Sequence, residues 1–177
     1  MPLLLLKELP RFECLLQAAL RYPDLNPAST SAFLHLLRTG DLIFDSEAQC
    51  LAEFGLSQGR FSLLMLLNRH PDAPETPAAL AHQLGVQRAT VTGLLDTLEK
   101  DALIERSQAP NDRRLTHVQL TAKGAALMDL VLPQYFRHVS SLLSPLSPEE
   151  HTQFVQLLQK IQEGLGENTP QKPDSGC

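Results

Sequence analysis

The sequence predicts a mainly α-helical protein with one small β-hairpin, and three observations carry that prediction. The chain is 177 residues long, 43% hydrophobic and poor in glycine and aromatics, so its core must rest on Leu, Val, Ile and Ala. Apolar residues recur at helical spacing through most of its length. One stretch, 103–120, breaks that spacing with two short β-favouring runs around a polar, charged loop.

The elements follow in order. Phe12, Leu15, Leu16, Ala19 and Leu20 form one apolar stripe, a short amphipathic helix in an N-terminal arm over 1–28, broken by Pro23 and Pro27. A long helix is expected from Ser29 or Ser31 to Phe54, weakened in its middle by Gly40 and ended by Gly55. Ser57 caps the next helix, which carries Phe61, Leu64, Met65 and Leu67. His70–Pro74 reads as a loop. Thr76-Pro77 is an N-cap with Pro at the first helical position, and that helix stops at Gly85. A second helix runs from Gln87 to Lys100. Residues 103–107 and 115–120 are the strands, and 108–114 is the loop between them. Thr121 caps a long helix containing Pro133, and Ser147-Pro148-Glu149-Glu150 is a capping box opening the last helix. The tail after Gly166 is polar and is expected to be disordered.

Charge and cysteine content narrow the function. The formal net charge is −5, so any grip on nucleic acid must come from a local cluster on an acidic background. The apolar start, Met1–Leu6, lacks a preceding basic segment, and no apolar run reaches the roughly 18 residues of a membrane span. A cytoplasmic protein is expected. Three cysteines, Cys14, Cys50 and Cys177, are an odd number at no metal-ligand spacing, and neither metal nor cofactor is expected. There is no phosphate-binding glycine loop, paired-carboxylate motif or nucleophile–base set, which argues against an enzyme.

Residues 76–100 carry the functional signal. Ala81 is small enough for two helices to cross, Gly85 supplies a turn with positive φ, and Val91 packs back on the first helix. That spacing is the internal frame of a helix-turn-helix. Any tight helical hairpin shares parts of it. Val91, Leu94, Leu95 and Leu98 then face inward, while Arg88, Thr92, Gly93 and Asp96 face away, with Gln87 and Thr90 at the boundary. On a DNA-reading helix, Arg88 can reach a guanine edge or phosphate, Gln87 an adenine, and Thr90 and Thr92 a phosphate or a thymine methyl. The hairpin follows at once, with Asn111-Asp112-Arg113-Arg114 at its tip. Asp112 can orient one arginine while the other projects toward a minor groove.

Leu84-Gly85-Val86, Arg88–Thr92, Leu98-Glu99-Lys100, Leu103–Arg106, Asn111–Arg114 and Leu120–Gly124 together resemble the MarR family of winged helix-turn-helix regulators. The resemblance spans about residues 29–165 and is most specific over 80–124. The arm and Val131-Leu132-Pro133 look most like the branch that represses multidrug-efflux operons. It implies a winged helix-turn-helix domain over 29–166 (helix-turn-helix 77–100, wing 103–120). Dimerisation would use helices 30–54 and 122–163. It further implies a homodimeric repressor on a pseudo-palindromic operator, released by a small aromatic or lipophilic effector. Gly93, Thr97 and Asp101 stand where the family is often basic. Residues 71–121 hold five Lys/Arg against seven Asp/Glu. Modest, salt-sensitive DNA binding is therefore expected.

Other residues keep two readings. Cys14 and Cys50 are candidates for a redox-sensing regulator of the same fold, but lie on or near apolar stripes and are expected to be buried structural thiols. His35, Arg38, Phe61 and Met65 are candidates for an effector pocket, with core or surface roles as the alternative. The acidic lobe also permits a winged-helix protein-interaction module without DNA binding.

Overall fold

Ser57, Thr76 and Ser147 each accept a backbone N–H through their side-chain oxygens and start helices where the sequence places them. The computed structural model describes residues 2–4, 6, 8–71, 73–109 and 112–166, with backbone alone at 109 and 112–114. The expected disordered tail, 167–177, and Cys177 lie outside the described residues.

Seven helices and one hairpin are described: α1 (Phe12–Arg21), α2 (Pro27–Ala52), α3 (Gln58–Arg69), α4 (Pro77–Leu84), α5 (Arg88–Lys100), β1 (Ile104–Ala109), β2 (Asp112–Leu120), α6 (Ala122–Leu143) and α7 (Pro148–Gly164). The chain divides into two units, residues 1–138 and 139–177. The first unit holds the core: Leu51, Leu63, Leu64, Leu80, Val91, Leu95, Leu98, Ile104, Val118, Met128 and Val131 are all fully buried. In the second, the capping box of Ser147 and Glu150 opens α7, and His151 Nε2 lies 3.0 Å from the Leu143 carbonyl.

Several boundaries differ from expectation. α2 begins at Pro27 rather than Ser29 or Ser31, because Asn26 caps it: its side chain accepts from the Ser29 N–H at 3.0 Å. Pro27 thus starts this helix, its missing N–H being one the first turn leaves unpaired anyway. The strands extend into the expected loop, with Ala109 opposite Asp112 across a register shift. An antiparallel ladder is built from backbone groups, so polar side chains do not end it. Glu75, between the expected loop and α4, also adds a bridge. Glu75 and Val118 exchange hydrogen bonds of 3.0 and 2.7 Å, which ties the start of α4 to the hairpin.

The hairpin's base is fixed to α6 through Thr121. Its hydroxyl donates to the Ala102 carbonyl at 2.7 Å and accepts from the Gly124 N–H at 3.0 Å. The Leu103 carbonyl accepts from the Thr121 N–H at 3.1 Å. α6 continues through Pro133 to Leu143.

The N-terminal arm rests on α2. Asp41, nine-tenths buried, accepts from the Leu3 and Leu4 amides at 2.6 and 2.9 Å. Those hydrogen bonds, the Leu3 amide foremost, hold its carboxyl below the usual range. The neighbouring Gly40 leaves room for Leu3: a β-carbon there would sit 3.2 Å from the Leu3 side chain. Of the α1 stripe, Leu15 is buried while Phe12, Leu16 and Leu20 are exposed.

Candidate nucleic-acid interface

The helix pair α4–α5 is built from local signals. The Thr76 hydroxyl accepts from the Ala79 N–H at 3.2 Å, and Pro77 opens α4. Gly85 closes it at φ 64°, a left-handed conformation in which glycine carries no β-carbon penalty. The Gly85 N–H bonds to the His82 carbonyl at 3.2 Å, and Val86 N–H to Ala81 at 3.1 Å, satisfying carbonyls that the helix end would leave open. Ala81 and Val91 are both buried at the crossing, as the frame requires.

α5 therefore shows one face to the core and the other outward. Val91, Leu95 and Leu98 are buried and Leu94 is half-buried, whereas Gln87, Arg88, Thr90, Thr92 and Gly93 are exposed. Gln87 occupies the N-cap but makes no capping bond with its side chain; its carbonyl accepts from the Thr90 N–H at 3.0 Å. The Thr92 hydroxyl donates back to the Arg88 carbonyl at 3.0 Å, so its lone pairs are what it has to offer a ligand. No neighbour lies within 4 Å of a β-carbon built on Gly93. The fold does not demand glycine there, although mid-helix glycine costs about 1 kcal/mol relative to alanine.

Asp112, Arg113 and Arg114 lie on β2, at the hairpin's far end; their side chains lie outside the described residues, as does Asn111. The base of the wing holds a residue that sequence reasoning counted only as charge. Arg106 on β1 donates through Nη2 to Asp96 Oδ1 at 2.7 Å, and its Nη1 stands 3.3 Å from Glu99 Oε2. Arg60 of α3 pairs with Asp101, just past α5. Asp96 is ten residues from Arg106, and Asp101 is 41 from Arg60. No periodicity announces either pair, since both depend on where the chain folds back.

Beside Arg60 lies an open cavity of about 510 Å³, with Phe54, Leu56, Leu103, Leu127 and Leu130 among its apolar walls. Arg60, Asp101 and Lys123 supply its charged groups, and Lys123 Nζ donates to the Asp101 carbonyl at 2.7 Å. None of the four residues proposed for an effector pocket lines it. Phe61 is buried in the core with its ring 4.6 Å from that of Tyr135, Met65 packs partly buried against the core, Arg38 is half-buried and His35 is exposed.

Cys14 corrects an expectation: it is exposed, because α1 buries little beyond Leu15 and the cysteine lies off that residue's side. Cys50 is half-buried, and burial, with Glu53 and Glu47 nearby, pushes its thiol up. That disfavours the thiolate a redox sensor needs. Glu47 itself is bound on both oxygens, by Tyr135 Oη at 2.9 Å and Gln58 Nε2 at 2.9 Å.

The MarR family model matches residues 56–116, from the start of α3 into the wing. The chain is 33% identical over 160 residues to the HTH-type transcriptional repressor YetL of Bacillus subtilis, covering 90% of this chain and 96% of that one. It is also 33% identical over 119 residues to the transcriptional repressor MprA of Escherichia coli K12, covering 67% and 68%. Among solved structures it resembles the S. aureus MepR–DNA complex, with a TM-score of 0.67 and 26% identity over 75% of this chain and 96% of that one. These relatives are regulators rather than enzymes. With the helix pair, its outward α5 face and the hairpin in direct succession, the chain belongs to the MarR family of winged helix-turn-helix transcriptional regulators.

Proposed function

We propose that this protein is a cytoplasmic, homodimeric repressor that binds a pseudo-palindromic operator. The observation that carries the reading is the outward face of α5. Arg88, Thr90, Thr92 and Gln87 are exposed on a helix whose opposite side is locked into the core. Two such helices related by a two-fold axis reach successive major grooves. Arg113 and Arg114 extend the contact into the flanking minor grooves. A second copy covers apolar side chains that α2 and α7 leave in water: Phe33, Leu42 and Phe44 on the one, Val155, Leu157 and Ile161 on the other.

The cavity beside Arg60 takes the effector. Its apolar walls suit an aromatic or lipophilic body, and Arg60 and Lys123 suit an acidic group on it. Asp101 joins that cavity to the end of α5, so a compound competing for Arg60 disturbs the reading helix.

Genomic DNA fragments retained by the purified protein and then sequenced test the main reading. Enrichment of one inverted repeat, lost in Arg88→Ala, is expected. Retention of no DNA by the intact protein would leave a protein-interaction module as the better account.

A further inference from the structure

Asp96, Glu99 and Asp101 make the α5 region acidic, and each has an arginine partner. Arg60 takes Asp101, while Arg106 reaches from β1 to the other two. Asp96 and Glu99 are spaced i, i+3, which puts them on adjacent parts of the helix surface. A planar guanidinium can fork between two such carboxylates, and an ammonium cannot do so with fixed geometry. The Arg106 side chain is 25% exposed and its partners are 58% and 42% exposed. The acids therefore face solvent on the helix that would meet DNA, and the arginine sits behind them.

Ion pairs this exposed contribute little to folding stability. Their placement matters more for binding. Asp96 lies one turn beyond Thr92 and about 12 Å along the helix from Arg88. That is beyond the roughly 8 Å screening length at physiological salt but well within the ~30 Å of low salt, so at low salt bare carboxylates there would repel the phosphates that Arg88 attracts.

We propose that Arg106 is a positioning residue for DNA binding: from the base of the wing it neutralises Asp96 and Glu99 and fixes their carboxylates toward β1, without itself touching DNA. The proposal rests on the DNA-binding reading above. It removes Arg106 from the cations directed at DNA, leaving Arg88, Lys100, Arg113 and Arg114 in the lobe.

The test compares operator affinity, across a salt series, for the full-length wild type, Arg106→Gln, and the triple variant Asp96→Asn/Glu99→Gln/Arg106→Gln. Melting curves accompany each. Arg106→Gln is expected to bind about tenfold more weakly at low salt, with the gap narrowing as salt rises. The triple variant, which has no bare carboxylate, is expected to return to within about threefold of wild type. Arg106→Gln binding within about twofold of wild type overturns the proposal, and so does a triple variant as weak as Arg106→Gln, since the loss is then mechanical. If Arg106→Gln does not fold, the double variant Asp96→Asn/Glu99→Gln replaces it: with no carboxylate left to neutralise, binding at or above the wild-type level is expected, and a loss of about tenfold overturns the proposal. A wild type that binds no DNA defeats the parent reading instead, which keeps the two failures apart.

Discussion

A β-carbon built on Gly124 would lie 2.0 Å from the carbonyl oxygen of Leu103. The first turn of α6 presses directly on the backbone that enters β1, at the point where Thr121 ties the two together. Gly124→Ala must push helix and hairpin apart. A loss of roughly 1–3 kcal/mol, or more, is expected, read as a lower melting temperature and denaturant midpoint. An unchanged melt would show that this contact gives way freely.

Asp41 holds the arm by two backbone amides, and Asn in its place keeps at most a weaker, uncharged acceptor. Asp41→Asn is expected to speed proteolysis and hydrogen exchange in residues 2–10 while leaving the main unfolding transition in place. The pH sign follows from the lowered carboxyl pKa. Arm docking is complete above the ordinary carboxylate range of about 4 and is lost only as pH falls through the lower, folded value. Arm protection, taken as exchange relative to the intrinsic rate at each pH, that varied with pH near neutrality would contradict this.

Tyr135 is pushed up to about 12, first by burial and then by its hydrogen bond to Glu47. Its raised value means that the neutral phenol is the form the fold favours. The stabilisation is present below about 10, the unfolded value, and disappears as pH rises through the folded one. Phenolate absorbance should therefore show one tyrosine titrating late, absent in Tyr135→Phe. That variant should lose about 1–3 kcal/mol, because Glu47 keeps Gln58 but loses a donor.

The two described cysteines should differ in reactivity. Cys14 is exposed and Cys50 is half-buried with a raised thiol. A thiol reagent at neutral pH is expected to label Cys14 first and Cys50 slowly, and Cys14→Ser/Cys50→Ser should still bind operator. Loss of oxidant response in that double variant alone would support a redox switch.

Operator binding should weaken steeply between low and moderate salt, and Arg88→Ala and Arg113→Ala/Arg114→Ala should each reduce it. Each phosphate that a direct cation neutralises releases counterions, so these contacts set much of the affinity and its fall with salt. Affinity measured by fluorescence anisotropy in a salt series checks both points. Indifference to salt would place the contact elsewhere.

Much of the helix-turn-helix was legible in the sequence because its determinants are local. Thr76, Pro77, Gly85 and Val91 act through capping, a left-handed turn and helical spacing, all settled within about fifteen residues. The same holds for Ser57, Ser147 and the hairpin. Boundaries slipped where two local signals competed. Pro27 reads as a breaker until Asn26 is seen to cap it, and the polar wing loop reads as a loop until the backbone ladder runs through it.

By itself, then, the sequence determined the order of elements, the frame of α4 and α5, and which face of α5 looks outward. Only the tertiary structure decided that Arg106 bridges Asp96 and Glu99, that Arg60 meets Asp101, that Glu75 joins the wing, and that Asp41 holds Leu3 and Leu4. The reason is physical. Caps and periodicity depend on dihedral angles and residue spacing, which a short window contains. Ion pairs and buried carboxylates depend on which distant segments packing brings together. The outward face of α5 was thus visible from the start, but the neutralisation of its acids was not.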